Sequence, residues 1–349
     1  MTQTRALSTP GPSAPLAPTT IERRALRDDD ILIDIAYAGI CHSDIHQVRE
    51  EWGTALFPMV PGHEIAGTVV QVGAGVTRFK VGDRVGVGCM VDSCGECEWC
   101  KNDQEQFCLK GNVPTYNGKN YDGEVALGGY SQQLVVTERF AARIPDNLEL
   151  DVAAPLLCAG ITTYSPLKRW GAGPGRKVAV VGLGGLGHMA VKIAAAMGSE
   201  VTVLSRSMAK KDDAEALGAT DYVATGEPGA AKELKGRFDV VLSTVSAGAS
   251  VRDYLRMLRP FGVLANVGLP TENFEVPPGM IIGGNKAVAG SNIGGIAETQ
   301  EMLDFCGEHG LGSTIETIGA DEVNAAYDRV VAGDVRYRFV IDVATIPEA

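Results

Sequence analysis

Two textures divide the chain. Between Ile31 and about Ala142, short apolar runs are broken by glycine: Ile31-Leu32-Ile33-Asp34-Ile35, Ile65-Ala66-Gly67-Thr68-Val69-Val70 and Gly82-Asp83-Arg84-Val85. Runs of this length with turn punctuation predict a β-rich domain. Around Ile144 the pattern changes, and after Pro145 come Ala- and Leu-rich stretches of helical character, such as 151–159. From Arg176 onward, strand and helix alternate. Residues 177–181 form a short apolar run and predict a buried strand. Residues 186–197 carry apolar positions at helical spacing and stop at Gly198, a C-cap residue. Runs at 201–204, 238–242, 262–267 and 287–289 continue the strand series, which implies parallel strands joined by right-handed crossovers. The C-terminal stretch predicts helices over 297–308 and 321–332 and a closing strand over 337–343. The first twenty residues are rich in Pro, Ser and Thr; the pattern fits either a tail or an irregular first strand.

Composition narrows the class. A length of 349 residues exceeds one ordinary core, so two domains are expected. A net charge of −12 argues against a nucleic-acid partner, which needs a basic face. No apolar run approaches the ~20 residues that span a bilayer, and the start of the chain lacks the apolar core of a secretory signal. Eight cysteines in such a chain are expected as thiols in a reducing cytoplasm, where metal ligation explains them better than disulfides do.

Gly182-Leu183-Gly184-Gly185-Leu186-Gly187 directly follows the strand 177–181 and opens a helix. In that strand–loop–helix context the pattern is a dinucleotide fingerprint. Gly182 permits the tight turn, Gly184 lets the backbone approach a pyrophosphate, and Gly187 lets helix and strand pack closely. Gly185 and Leu186 contribute N–H groups at the helix N-terminus. NAD-binding proteins place an Asp or Glu at the end of the second strand. Here Ser205-Arg206-Ser207 stand there, with Lys210 close behind. Two cations and two hydroxyls suit a ribose 2′-phosphate, so NADP(H) is expected.

Cys94-x2-Cys97-x2-Cys100-x7-Cys108 supplies four soft ligands within a polar loop, the pattern of a closed structural zinc site. An iron–sulfur cluster is the competing reading, but nothing else in the chain asks for an electron relay. A second set is dispersed: Cys41 in Gly39-Ile40-Cys41-His42-Ser43-Asp44, His63 and Glu64 in Gly62-His63-Glu64, and Cys158 in Leu157-Cys158-Ala159-Gly160. Two cysteines and a histidine with an open fourth position make a catalytic zinc ligand set, although spacing alone does not show that they converge.

With these motifs assembled, the chain resembles the zinc-containing medium-chain dehydrogenase/reductase superfamily over 31–343, and within it the cinnamyl alcohol dehydrogenase branch with its NADP-dependent aldehyde reductases. Pro155-Leu156-Leu157-Cys158-Ala159-Gly160 and Asp334-Val335-Arg336-Tyr337-Arg338-Phe339-Val340 also fit that branch. The resemblance implies an α/β protein: a GroES-like β-rich catalytic domain (1–152 and 293–349) carrying both zincs, and a Rossmann doubly wound parallel-sheet domain (153–292). It implies Cys41, His63 and Cys158 as ligands of the catalytic zinc, Glu64 as a neighbour able to ligate, and Asp44 as the carboxylate that holds His63 in its ligating tautomer. Ser43 and His46 are implied as a proton relay, running from hydroxyl through the nicotinamide ribose to a histidine that titrates near neutrality. His42 and Arg336 match positions near the cofactor pyrophosphate. A homodimer in the cytoplasm completes the expectation.

The substrate is less legible. Trp52, Leu56, Phe57 and Met59 follow the relay segment and, with Cys89, are candidate pocket residues. Such a lining suits aromatic or medium-chain aliphatic primary alcohols and their aldehydes, with aldehyde reduction the expected direction. His188, His309 and Cys306 read as structural or surface residues. Two alternatives stay open. A polyol dehydrogenase of mannitol or sorbitol type would need a polar pocket, and a zinc-binding relative without turnover would be free to lose Cys41, Ser43, His63 or Cys158.

Overall fold

A computed structural model describes residues 2–348 except 13, 228, 249, 271 and 272. The packing of Cα atoms divides the chain into two units, Met1–Cys158 with Gly294–Ala349, and Ala159–Ile293.

The first unit is built on a seven-stranded sheet. The strands Ile315–Ile318, Arg338–Asp342, Asp30–Gly39, Ile65–Val72, Arg84–Val87 and Ala142–Arg143 lie in that order, and Gln133–Thr137 also pairs with Asp30–Gly39. Asp30–Gly39 is the hub. It pairs antiparallel with three neighbours, and two register shifts against Ile65–Val72 bend it. Ile31, Ile33, Ile65 and Val69 fill the core beneath.

The N-terminal segment is an antiparallel hairpin, Thr2–Ser8 with Ala17–Arg23. Its Leu7 amide donates to Tyr130 O at 2.8 Å, and the buried Arg23 guanidinium donates to the carbonyls of Leu127, Gly128 and Gln133. The Pro-, Ser- and Thr-rich composition therefore belongs to an ordered edge of the unit, not to a tail.

The second unit holds a six-stranded parallel sheet in the order Asp221–Ala224, Glu200–Ser205, Lys177–Val181, Phe238–Ser243, Leu258–Asn266, Ala287–Gly290. Every residue of Phe238–Ser243 is buried. A central parallel strand covered on both faces has no solvent side, which explains the unbroken apolar run. The chain order reverses between Lys177–Val181 and Phe238–Ser243. At such a switch point the strand ends open a crevice for a ligand.

The helices Gly187–Ala196, Ile296–His309 and Val323–Ala332 lie within a few residues of the periodicity-based expectations. The stretch 151–159 is not one helix. A turn of helix at Leu150–Ala153 passes into a 3-10 segment, Ala154–Leu157, before the helix Ala159–Arg169 begins. Pro155 sits in the 3-10 segment, where its missing N–H costs least. No helix among the described residues is long and apolar enough to cross a membrane.

Candidate functional site

Three segments of the first unit converge on one cluster. Cys41 is the N-cap of the helix His42–Val48, reached directly from the hub strand. His63 and Glu64 sit in the turn that leads into Ile65–Val72, and Cys158 follows the 3-10 segment. One ligand atom from each of Cys41, His63, Glu64 and Cys158 lies within 4.8 Å of all the others, and all four residues are buried. Space for Glu64 is made by Gly39, where a Cβ would stand 2.0 Å from Glu64 Oε2.

The donor set fits zinc. The sulfurs of Cys41 and Cys158 are 4.0 Å apart, against the ~3.8 Å edge of a tetrahedron with zinc–sulfur bonds of about 2.3 Å. His63 donates through Nδ1 to Asp44 Oδ1 at 3.0 Å, which leaves Nε2 as the free lone pair. Glu64 Oε1 is held by Arg338, whereas Glu64 Oε2 is buried without a hydrogen-bond partner. A buried carboxylate oxygen left bare is costly unless a cation or donor reaches it. Hydrogen bonding from the Cys158 thiol pulls the Cys41 thiol well below its ordinary range and pushes Cys158 up.

Of the remaining candidates in this unit, Ser43 Oγ lies 3.6 Å from Cys41 Sγ. His46, one turn further along the helix, pairs with Glu51 and stacks on Trp52 at 4.7 Å between ring centroids. Cys89 hydrogen-bonds the Cys158 thiol, adding a third sulfur beside the cluster. Leu56 is half-buried, with its amide bonded to Asn117, and Met59 is core, pairing through its backbone with Thr9. His42 and Arg336 are exposed.

Cys94, Cys97, Cys100 and Cys108 form the second cluster, again with all four sulfurs within 4.8 Å. Cys97 caps the short helix Glu98–Lys101, Cys100 lies inside it, and Cys108 follows the 3-10 turn Glu105–Phe107. Backbone N–H groups of Cys100 and Leu109 donate to Cys97 and bring its thiol down to about 6, while burial pushes the Cys100 thiol up to about 12. The lobe offers little apolar packing, since Trp99, Phe107 and Leu109 are exposed. It is tied to the C-terminal part of the unit by Glu105, whose carboxylate accepts from the amide of Ile296 at the start of the helix Ile296–His309.

In the second unit, Gly182 adopts φ +89°, and a Cβ there would meet Val245 at 2.7 Å. A Cβ on Gly187 would stand 2.0 Å from Gly182 O, so the turn closes only with glycine at both ends. Gly184 is open on its Cβ side, leaving backbone exposed in the loop, and Gly185 and Leu186 lead into the helix that begins at Gly187. The strand Glu200–Ser205 ends on Ser205. Arg206 and Ser207 are exposed beyond it, and Lys210 turns back so that its ammonium donates to Leu183 O at 2.9 Å. The phosphate-loop and ribose-end candidates thus meet in one place. Thr244 and Val245 crowd Gly182, and Asn266 ends the neighbouring strand with its side-chain Oδ1 buried and without a hydrogen-bond partner. The sequence reading did not single these three out, because nothing in their spacing marks them. The end of the strand Phe238–Ser243, next to the glycine loop across the switch point, is the signal that could have. His188 is buried in the helix behind the loop, and burial lowers its pKa to about 3, so it sits there neutral.

Comparison with known proteins agrees with this geometry. Residues 27–146 match the alcohol dehydrogenase GroES-like domain and residues 185–308 the zinc-binding dehydrogenase domain. The chain is 61% identical, over 99% of both chains, to a probable formaldehyde dehydrogenase of Bacillus subtilis. It is 57% identical, over 95% of both, to an NADP-dependent alcohol dehydrogenase of Mycolicibacterium smegmatis. The crystal structure of the cinnamyl alcohol dehydrogenase of Helicobacter pylori complexed with NADP(H) superimposes with a TM-score of 0.92 at 44% identity, covering 98% of each chain.

Elemental analysis of the purified protein is expected to give two zinc ions per chain, falling to one in Cys158→Ala. A ratio unchanged by that substitution would remove the dispersed cluster from consideration as a metal site. Cys97→Ser is expected to lose the other zinc and to lower the thermal midpoint sharply, because ligation in a lobe so poor in apolar contacts supplies its folding free energy.

Proposed function

Because the chain belongs to the zinc-binding alcohol dehydrogenases with a GroES-like domain, we propose that it interconverts primary alcohols and aldehydes with NADP(H), acting on aromatic or medium-chain aliphatic substrates and running toward aldehyde reduction. The observation that carries the reading is the buried Cys41–His63–Cys158 set with Ser43 beside it. When bound, zinc supplies Lewis acidity toward the substrate oxygen, and the nicotinamide supplies or accepts the hydride.

The chain's own residues do the rest. Cys41, His63 and Cys158 hold the metal, and Glu64, with one oxygen unpaired, is placed to complete its coordination. Asp44 keeps the His63 Nδ1–H engaged, so that Nε2 faces the cluster. The Ser43 hydroxyl exchanges the proton of the substrate oxygen. His46, near the surface and paired with Glu51, draws that proton from solvent in reduction and returns it in oxidation. In the other unit, the glycine loop offers N–H groups to a pyrophosphate, and Ser205, Arg206, Ser207 and Lys210 offer hydroxyls and positive charge to a 2′-phosphate.

We place the enzyme in the cytoplasm as a homodimer. All eight cysteines are free of disulfides, which leaves the six in the two clusters available to a metal. The second unit's sheet ends on Ala287–Gly290, an edge strand, and the same unit exposes Phe261, Leu269 and Ile282. An open strand edge with apolar residues near it suits pairing with a second copy.

The reading is tested by NADPH oxidation against a panel of aldehydes and ketoses, with and without a chelator. Turnover of aromatic and medium-chain aldehydes that the chelator abolishes supports it, and turnover confined to ketoses would shift the assignment to polyols. Ser43→Ala should lose most turnover while keeping zinc and cofactor. His46→Gln should lose less and should alter the pH profile, since water partly replaces a surface base. For the cofactor, Arg206→Ala is expected to weaken NADPH binding by roughly ten- to a hundredfold, the cost of one charge-assisted hydrogen bond, and to leave NADH binding unchanged. Equal losses for the two cofactors would reduce Arg206 to a surface charge.

A further inference from the structure

Asp44 is wholly buried, and more groups than its own loop bond to it. Its Oδ1 accepts from His63 Nδ1 at 3.0 Å and from the Gly62 amide at 3.2 Å. Its Oδ2 accepts from the Cys41 amide at 2.9 Å and from the Tyr130 hydroxyl at 3.3 Å. Tyr327, on the C-terminal helix Val323–Ala332, donates its hydroxyl to Tyr130 Oη at 3.5 Å. Tyr116 also hydrogen-bonds Asp44, and its ring stacks on His63 with 5.9 Å between centroids. All three tyrosines are buried. A buried phenol needs a hydrogen-bond partner, and a phenylalanine would pack as well without one. Two hydroxyls on one carboxylate, with a third bonded behind them, are therefore not explained by packing.

The contacts of Tyr130 set it apart from the other two. Its amide donates to Pro61 O at 2.9 Å, and its ring lies where a Cβ on Gly62 would come within 2.5 Å. Gly62 holds φ +105°, so the turn that presents His63 is shaped against this ring. The same residue thus fixes the turn that carries the histidine and the carboxylate that orients it.

We propose that Tyr130, backed by Tyr327, is a positioning residue for the catalytic metal. The hydrogen bonds from Tyr327 to Tyr130, and from Tyr130 and His63 to Asp44, lock Asp44 in the rotamer that directs His63 Nε2 into the ligand cluster, and so set how tightly that metal is held. The inference rests on the zinc reading of Cys41, His63 and Cys158. Tyr130 and His63 donate to the two oxygens of one carboxylate, so loss of the Tyr130 hydroxyl frees Asp44 to leave the rotamer that engages His63. Partners at this distance from a metal typically change its affinity by about ten- to a hundredfold.

The test is zinc release from the intact protein to a chromogenic chelator, with the catalytic phase identified as the one missing in Cys158→Ala. Tyr130→Phe is expected to accelerate that phase by roughly tenfold and to leave the phase of the four-cysteine lobe unchanged. Tyr327→Phe should act in the same direction but more weakly. With cobalt in the catalytic site, Tyr130→Phe should shift the visible ligand-field bands, which a purely structural role would not do. In an Asp44→Asn background, Tyr130→Phe should add little. Release from Tyr130→Phe at the parent rate, or the same acceleration in both backgrounds, would overturn the proposal. A parent protein without any phase that Cys158→Ala removes would overturn the metal assignment, and this inference with it.

Discussion

A carboxylate taken out of water must be met by donors on every side, and Asp44 imposes that requirement on the first unit. It accepts from the backbone at Cys41 and Gly62 and from the side chains of His63 and Tyr130. These groups come from a helix start, a turn between strands and a distant loop. Satisfying one buried charge therefore fixes the relative position of two candidate ligands, Cys41 and His63, before any metal arrives. Breaking that arrangement would strand an ion in the core.

The two metal clusters show what a sequence can and cannot reveal. Cys94, Cys97, Cys100 and Cys108 lie close together in the chain, so short-range geometry alone brings their sulfurs together, and the spacing names the site. Cys41, His63 and Cys158 are gathered by sheet pairing across more than a hundred positions, with 4.0 Å between the first and last. No periodicity encodes that distance. Only the resemblance to a family indicated convergence, and the tyrosines around Asp44 were invisible for the same reason.

Elsewhere, legibility followed unbroken apolar runs. The unbroken apolar run at Phe238–Ser243 and the glycine turn after Lys177–Val181 could be read directly, since parallel strands covered on both faces leave little ambiguity. The strand Asp221–Ala224, at the sheet's edge and only partly buried, carried no such signal and was missed. The N-terminal hairpin was hidden by its Pro- and Ser-rich composition. What orders it is a set of hydrogen bonds from Arg23 and Leu7 to a loop more than a hundred residues away.

Charge explains why two clusters of similar donors serve different ends. Four thiolates around a divalent cation leave an excess of negative charge, and a closed shell of this kind has neither a vacancy nor an electrostatic reason to take an anionic oxygen. Two thiolates and a neutral imidazole would balance a divalent cation, with Glu64 beside them able to fill the fourth place or to yield it. Around that position, Arg338 balances Glu64, and the Asp44 charge is absorbed by the donors that surround it. A cation held there would keep its electron demand for a substrate oxygen, which is the condition for polarising a carbonyl. Were Asp44 less fully bonded, it could leave the rotamer that engages His63 Nδ1, and Nε2 would no longer be held toward the cluster. Its ring of N–H and O–H groups therefore serves the chemistry as well as the fold.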